Sequence, residues 1–224
     1  MNSTRFFGTS LGWLVIFNTL GASELATFLN KEIFKNKTNG VFVDIGAYDG
    51  VTASNTAFFE KSLGWTGVCV EPLSTVYKKL TQNRSCVCVA GAIAATSGRR
   101  EFAQVYGPNQ LERLSGFVNT FYRENWEKIN RQDMHGAGFR YIMVPTYTIQ
   151  ELCKKYGLTH IDYLSISTSG SEEEIIKSID FSTIAISVIS VDNPYGNIVI
   201  KSYLLSKGYK LAQRLSAADI YVKN

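Results

Sequence analysis

The sequence lacks several patterns that identify common sites. Its four cysteines form no CxxC pair, which excludes a zinc ribbon and a thioredoxin-type motif. Twenty-three basic and 19 acidic side chains leave a net charge of only +4, too small an excess over 224 residues to indicate nucleic-acid binding. Hydrophobic residues still make up 45% and charged residues 19%. This composition is that of a folded protein with one large domain or two small ones.

The N-terminal segment is a candidate targeting signal. Residues 6–23 carry no charge and follow the single Arg5. That pattern fits a packed N-terminal helix of a cytoplasmic protein, or the signal or membrane anchor of a secretory one. Four polar residues interrupt the apolar stretch, whereas a spanning helix needs about 20 predominantly apolar residues. We therefore expect a cytoplasmic protein without a clear membrane partner, divided into an N-terminal helix or possible signal segment, 1–22, and one domain, 23–224.

Predicted strands and helices alternate along most of the chain. The predicted strands span 41–45, 67–71, 86–90, 161–166 and 184–191, with an antiparallel hairpin over 209–215 and 219–223. The predicted helices include 54–62, 149–156, 171–179 and 198–206. Because crossovers between parallel strands are long and usually helical, the alternation predicts an α/β fold with a mostly parallel sheet and helices on both faces. Residues 104–141, with a helix over 117–131, are predicted to form an insertion or lid.

A glycine motif follows the first predicted strand. Residues 43–50 read Val-Asp-Ile-Gly-Ala-Tyr-Asp-Gly, and we interpret Gly46 and Gly50 as allowing close approach of a ligand to the backbone. The spacing is GxxxG, not the GxGxxG that binds a dinucleotide pyrophosphate, which argues against a nicotinamide-dependent reductase. Glu71 ends the second strand, where a carboxylate can accept hydrogen bonds from ribose hydroxyls. The pattern favours a nucleoside ligand; the alternative is a plain turn with Glu71 as a solvated strand end.

A family resemblance extends beyond this motif. Four stretches closely resemble the FkbM family of S-adenosylmethionine-dependent methyltransferases. They are residues 43–50, Ser54-Asn-Thr56, Leu63-Gly-Trp-Thr-Gly67 and Val68-Cys-Val-Glu-Pro72. Later blocks that look like the family's are 161–166, 170–172, 179–181, 208–209 and 219–222. The resemblance implies the Rossmann-like class I methyltransferase fold, with a seven-stranded sheet ending in an antiparallel hairpin. It also implies methyl transfer from S-adenosylmethionine to a hydroxyl, typically of a sugar or polyketide-like acceptor.

The resemblance also implies site residues by position. The cofactor loop would consist of Gly46, Ala47, Tyr48 and Gly50. Asp44 would orient the amino acid portion of the cofactor, Glu71 would hold the ribose, and Asn55 would steady the loop.

The sequence departs from the family at three acidic positions. The family usually carries carboxylates where this chain has Ser167, Ser169 and Ser190. Hydroxyls neither accept a proton efficiently nor hold a divalent cation, so no metal site is expected. The candidate catalytic bases are then Asp192, which could alternatively form an Asx turn, and His135 in a glycine-rich segment. His160 is interpreted as ordinary surface, and the glutamates 172–174 as partners of a helix dipole.

Two functions remain compatible with these features. The first is an S-adenosylmethionine-dependent O-methyltransferase acting on a carbohydrate or small-molecule acceptor, not on nucleic acid. The second is a catalytically impaired pseudoenzyme that acts as a cofactor-binding or interaction module. No feature of the sequence predicts an oligomeric state.

Overall fold

The computed structural model describes residues 19–129 and 136–224. Within these ranges the helices are α1 (Thr19–Phe28), α2 (Ala57–Leu63), α3 (Ser74–Asn83), α4 (Arg123–Ile129), α5 (Ile149–Tyr156), α6 (Glu172–Ser178) and α7 (Ile198–Ser206). The strands are β1 (Val41–Ile45), β2 (Thr66–Glu71), β3 (Val87–Ala90), β4 (Ala92–Ile93), β5 (Gly98–Tyr106), β6 (Gly116–Phe117), β7 (Gly138–Tyr147), β8 (His160–Ile166), β9 (Ala185–Asp192), β10 (Tyr209–Leu215) and β11 (Ala218–Lys223).

The main sheet has the order β10-β11-β9-β8-β1-β2-β3 in the described part of the chain. Strands β3, β2, β1, β8 and β9 pair in parallel, whereas β11 is antiparallel to both β9 and β10. The predicted α/β fold, with a mostly parallel seven-stranded sheet and a C-terminal antiparallel hairpin, is therefore confirmed. The parallel strands end at one edge of the sheet, which is where ligands bind in folds of this kind.

Helices cover both faces of this sheet because alternate strand residues point to opposite sides. Val43 and Ile45 of β1 pack in a core cluster with apolar residues of α5, α6 and α7. Phe42 lies on the other side, in a cluster with Leu25, Phe59 and Leu80 of α1, α2 and α3. Asp44 shares the side of Phe42, which places its carboxylate toward the second layer of helices.

A second sheet overlaps the region 104–141 that was predicted as an insertion or lid and extends beyond it on both sides. It has the order β4-β7-β5-β6, and β5 pairs with β7 in continuous antiparallel register from Gly98 opposite Thr146 to Tyr106 opposite Gly138. The predicted helix over 117–131 is wrong in its first half. Residues 116–117 form β6, because the Phe117 ring packs edge-on against Phe102 at 5.5 Å, and α4 begins only at Arg123.

The N-terminal prediction lies largely outside the described residues. Residues 1–18 of the predicted segment 1–22 lie outside the described ranges, and the division of the chain at residue 23 stays a prediction. In the parts of the chain that the structure describes, no helix combines the length and the apolar character needed to span a bilayer.

Candidate active site

A cavity of about 660 Å³ opens at the carboxyl ends of the central parallel strands. Its walls bring together most of the residues that the sequence analysis singled out, which are Asp44, Gly46, Ala47, Tyr48, Asn55, Glu71 and Asp192. Gly50 follows the same loop but does not line the cavity. His135 lies outside the described residues. His160 lies at the opposite end of β8, where its Nε2 is 3.0 Å from Asp162 Oδ1.

The loop after β1 is fixed by backbone hydrogen bonds. The amides of Gly46 and Ala47 both donate to the Val70 carbonyl, at 3.0 and 3.1 Å. Gly46 and Gly50 both have φ of +79°. A Cβ on Gly46 would lie 1.9 Å from the Ser167 carbonyl oxygen, and one on Gly50 would lie 2.5 Å from Arg84 Cγ. Contacts within the protein therefore require glycine at both positions. The sequence analysis had instead attributed the two glycines to close approach of a ligand.

Replacing Gly46 by alanine should destabilise the fold as well as the site. The left-handed conformation alone costs an alanine roughly 1–2 kcal/mol, and the Ser167 carbonyl must also move. Gly157→Ala is a matched control, because Gly157 has φ of +67° with no atom within 4 Å of its added Cβ. We expect urea denaturation to give a larger loss of unfolding free energy for Gly46→Ala than for Gly157→Ala. Equal losses would contradict the steric argument.

Glu71 joins the loop to the turn after β2. Its side-chain Oε2 accepts a hydrogen bond from the Tyr48 amide at 3.1 Å, and Oε1 accepts one from the Leu73 amide at 2.8 Å. Burial raises the pKa of this carboxyl to about 7, against the lowering effect of the two amides. The alternative of a solvated strand end is wrong, because Glu71 is only 5% exposed. Each oxygen keeps capacity for a further hydrogen bond.

Asp44 lies beneath the loop, next to the second layer of helices. The Thr56 hydroxyl donates to its Oδ2 at 2.6 Å, and Asn55 Nδ2 donates to the hydroxyl of the neighbouring Ser165 at 3.3 Å. Burial raises the pKa of Asp44, and the nearby Arg84 guanidinium opposes that rise.

Asp192 ends β9 on the opposite wall of the cavity. Its Oδ2 accepts the Ser167 hydroxyl at 2.5 Å. Burial raises the Asp192 pKa to about 6, with a further upward contribution from Glu172, while the Ser167 hydrogen bond lowers it. The turn that follows is held by Asn193, whose Oδ1 accepts the Asn197 amide at 2.6 Å. The Asp192 carboxylate thus faces the cavity, and the side chain that bonds to the following turn is that of Asn193.

The other two serines that replace family carboxylates bond within the protein. Ser169 donates to the Arg113 carbonyl at 3.0 Å, and Ser190 shares a 2.7 Å hydrogen bond with the Tyr163 hydroxyl. Ser190 is buried in the sheet. Of the three serines, only Ser167 contacts a candidate catalytic group.

Glu172 is a cavity residue that sequence reasoning missed. It is 1% exposed, and its carboxylate accepts the amides of Thr168 and Gly170 at 2.8 and 2.9 Å. Its Oε2 also accepts the Tyr122 hydroxyl at 2.9 Å. The sequence signal was its place in the block Gly170-Ser-Glu172, whereas the helix-dipole interpretation treated it like the partly exposed glutamates that follow it.

Carboxylates dominate the charge of the cavity. The charged lining residues in the described part of the chain are Asp44, Glu71, Glu112, Glu172, Asp192 and Arg113. Among the described residues, no group of three or more His, Cys, Asp or Glu side chains is placed to hold a metal ion. The buried Thr168 hydroxyl has no hydrogen-bond partner within the protein. The cavity therefore favours a ligand that is cationic and that carries polar atoms.

The family model and the two solved structures described next are methyltransferases. The family model described as "Methyltransferase FkbM domain" matches residues 44–211. A methyltransferase from Pyrococcus furiosus is similar at 11% identity and a TM-score of 0.43, covering 91% of this chain and 83% of that one. Precorrin-6y C5,15-methyltransferase from Geobacter metallireducens GS-15 is similar at 11% identity and a TM-score of 0.45, covering 95% and 92%. The comparison with curated proteins gave no match.

Proposed function

Because the chain belongs to the FkbM methyltransferase family, we propose that it methylates a hydroxyl of a carbohydrate or small-molecule acceptor, with S-adenosylmethionine as the methyl donor. The observation that carries this proposal is the position of Asp192. Its carboxylate lies in the same cavity as the glycine loop and Glu71, on the opposite wall. A candidate base and a candidate nucleoside site thus line the same cavity.

The cavity fits the proposed cofactor chemically. Glu71 offers acceptor capacity at a strand end, as ribose hydroxyls require. Leu73, Ile93 and Phe117 supply an apolar wall of the kind that suits an adenine ring. The excess of carboxylates suits a molecule with sulfonium and ammonium groups, which carries a net positive charge. When bound, this cofactor supplies an electrophilic methyl group.

Asp192 is suited to remove the proton of the acceptor hydroxyl. A general base is most effective when its pKa is near the working pH, and the Asp192 pKa of about 6 leaves it ionised but basic at neutral pH. The Ser167 hydroxyl fixes one carboxylate oxygen, so the other can face the acceptor. In this role Asp192 would take the proton of the acceptor hydroxyl, so that the acceptor oxygen could bond to the methyl carbon while the methyl–sulfur bond breaks and S-adenosylhomocysteine leaves.

The rim of the cavity favours a neutral acceptor. Tyr195 is 45% exposed and packs edge-on against Tyr122 at 4.9 Å. An exposed aromatic face can pack against the apolar face of a sugar ring. The carboxylates of the lining repel phosphates, which argues against a nucleic acid.

The three serines support an alternative, that the protein binds the cofactor without transferring a methyl group. Ser169 and Ser190 contribute neither a base nor a metal ligand, because their hydroxyls are bonded inside the protein. Incubation with methyl-labelled S-adenosylmethionine and a panel of neutral glycosides, polyols and phenols separates the two functions. Transfer of the labelled methyl group to an acceptor over repeated turnovers supports the methyltransferase function. Tight cofactor binding with no transfer by the wild type, and transfer gained on restoring the acids with Ser167→Asp and Ser169→Glu, supports the binding module.

Removing the Ser167 hydroxyl should move the pH profile of the reaction. Its hydrogen bond lowers the Asp192 pKa, so Ser167→Ala raises that pKa. Because the base acts only when deprotonated, activity is lost as pH falls through its pKa, and the variant should lose activity at a higher pH than the wild type. Ser169→Ala is the control, since that hydroxyl donates to a backbone carbonyl. Coincident rate profiles for Ser167→Ala and wild type between pH 5 and 9 would count against Asp192 as the base.

A further inference from the structure

A buried arginine lies beneath the cofactor loop and outside the cavity lining. The Arg84 side chain follows α3 and is 0% exposed. Its Nε donates to Glu60 Oε2 at 2.6 Å, and Nη1 donates to the Gly50 carbonyl at 3.2 Å and to the Ser54 hydroxyl at 3.3 Å. Its Nη2 donates to the Thr56 hydroxyl at 3.0 Å. A buried charge is costly unless it is paired, and these contacts provide the pairing.

The contacts of Arg84 reach the cavity through the loop. Thr56, which accepts from Arg84, donates its own hydroxyl to Asp44 at 2.6 Å. Asn83, the last residue of α3, donates from Nδ2 to the Asp49 carbonyl at 2.8 Å. The consecutive side chains of Asn83 and Arg84 therefore hold consecutive carbonyls of the loop. The space for Arg84 also explains Gly50, because a Cβ there would meet the arginine side chain.

We propose that Arg84 is a positioning residue for the cofactor site, which it serves by fixing the loop 46–56 and by holding the Thr56 hydroxyl that donates to Asp44. This inference rests on the proposed cofactor site. Arg84 touches no reacting atom, so its effect on methyl transfer passes through Asp44 and the loop.

The surroundings of Asp44 show why its charge depends on Arg84. Burial raises the Asp44 pKa, and the Arg84 guanidinium is the largest opposing influence, followed by the hydroxyls of Thr56 and Ser165. Among the described residues, Cys69 and Glu71 of β2, Tyr163 of β8 and Asp192 of β9 also interact electrostatically with Asp44. None of these is a cation. Loss of Arg84 therefore raises the Asp44 pKa, and the variant needs a higher pH for full ionisation.

Arg84→Met tests the proposal, because methionine fills space without charge or donors. Calorimetric titration with S-adenosylmethionine should give at least tenfold weaker binding at pH 7, with part of the loss recovered by pH 9 as Asp44 ionises. Arg84→Lys retains the cation and should restore the wild-type pH profile. Asp162→Asn is the control, since it removes a buried carboxylate paired with Lys37 at the opposite end of the sheet. Wild-type affinity in Arg84→Met, or an equal loss in Asp162→Asn, overturns the proposal.

A second measurement does not depend on cofactor binding. Hydrogen exchange of the amides in 46–56 should be faster in Arg84→Met, and to a smaller degree in Arg84→Lys, than in wild type and Asp162→Asn. Unchanged exchange in both arginine variants overturns the loop assignment, whether or not the wild type binds the cofactor. A wild type that does not bind contradicts the proposed function instead. If Arg84→Met does not fold, Arg84→Lys is used for the test instead. Amide exchange rates in Arg84→Lys equal to those of the wild type then overturn the proposal.

Discussion

Asp192→Asn should lower the rate of methyl transfer by roughly 10²- to 10⁴-fold, which is the usual contribution of a general base. Asparagine retains the shape of aspartate, and its carbonyl oxygen can still accept the Ser167 hydroxyl. It cannot accept the proton of the acceptor hydroxyl. The loss should therefore fall on kcat, while affinity for S-adenosylmethionine changes by less than about tenfold, or 1.4 kcal/mol.

Single-turnover rates measured with saturating labelled cofactor isolate this effect from binding. Asp162→Asn is again the matched control, because it neutralises a buried carboxylate at the amino end of the neighbouring strand. A rate for Asp192→Asn within threefold of wild type would remove Asp192 as the base, and Glu172 would then be the next carboxylate to test.

Glu71→Gln should weaken cofactor binding by about 1.5–3 kcal/mol, the range for hydrogen bonds to charged groups, or roughly 10- to 150-fold. Glutamine has one acceptor oxygen, so it cannot serve the Tyr48 and Leu73 amides together with ribose hydroxyls. The variant thus loses the ribose acceptor and loosens the loop. Glu173→Gln is the control, since that carboxylate binds Lys177 and Asn197 away from the cavity.

The same variant should change the pH dependence of binding. A cationic ligand prefers the ionised carboxyl, and the Glu71 pKa is about 7, so wild-type affinity should fall as pH drops from 8 toward 6. In Glu71→Gln that decline is absent. Any remaining fall in affinity should occur near pH 6, where Asp192 becomes protonated. Calorimetric titration of both proteins over this range checks the result. Equal affinities, or parallel pH profiles, would exclude Glu71 from the cofactor site.

The sequence predicted the parts of the molecule that depend on local patterns. The alternation of strands and helices was sufficient for the parallel sheet, and the terminal hairpin followed from two short strands separated by small residues. Strands β5 and β7 were missed because consecutive charges at 99–101 and Pro145 obscure their alternation. Their stability comes from pairing with each other over a long separation in sequence, which no local pattern reveals.

The same distinction holds for the candidate site: residues that belong to local patterns were predicted, and residues defined by distant contacts were not. Residues 43–50 span the end of β1 and the loop after it, Glu71 ends β2, and the carboxyl ends of these paired strands bring them together. Glu172 and Arg84 could not be assigned from their neighbours in sequence, since their roles depend on contacts such as Glu172 with Tyr122, 50 residues away. Buried charges of this kind are recognised from their partners, which only the fold supplies.

The most direct test of the account is a structure of the protein bound to S-adenosylhomocysteine, the demethylated product. We predict that the nucleoside occupies the cavity at the carboxyl ends of β1 and β2, that its ribose hydroxyls bond to Glu71, and that its sulfur faces the wall that carries Asp192. Density for the ligand elsewhere on the protein, or no binding at millimolar ligand, would contradict the account.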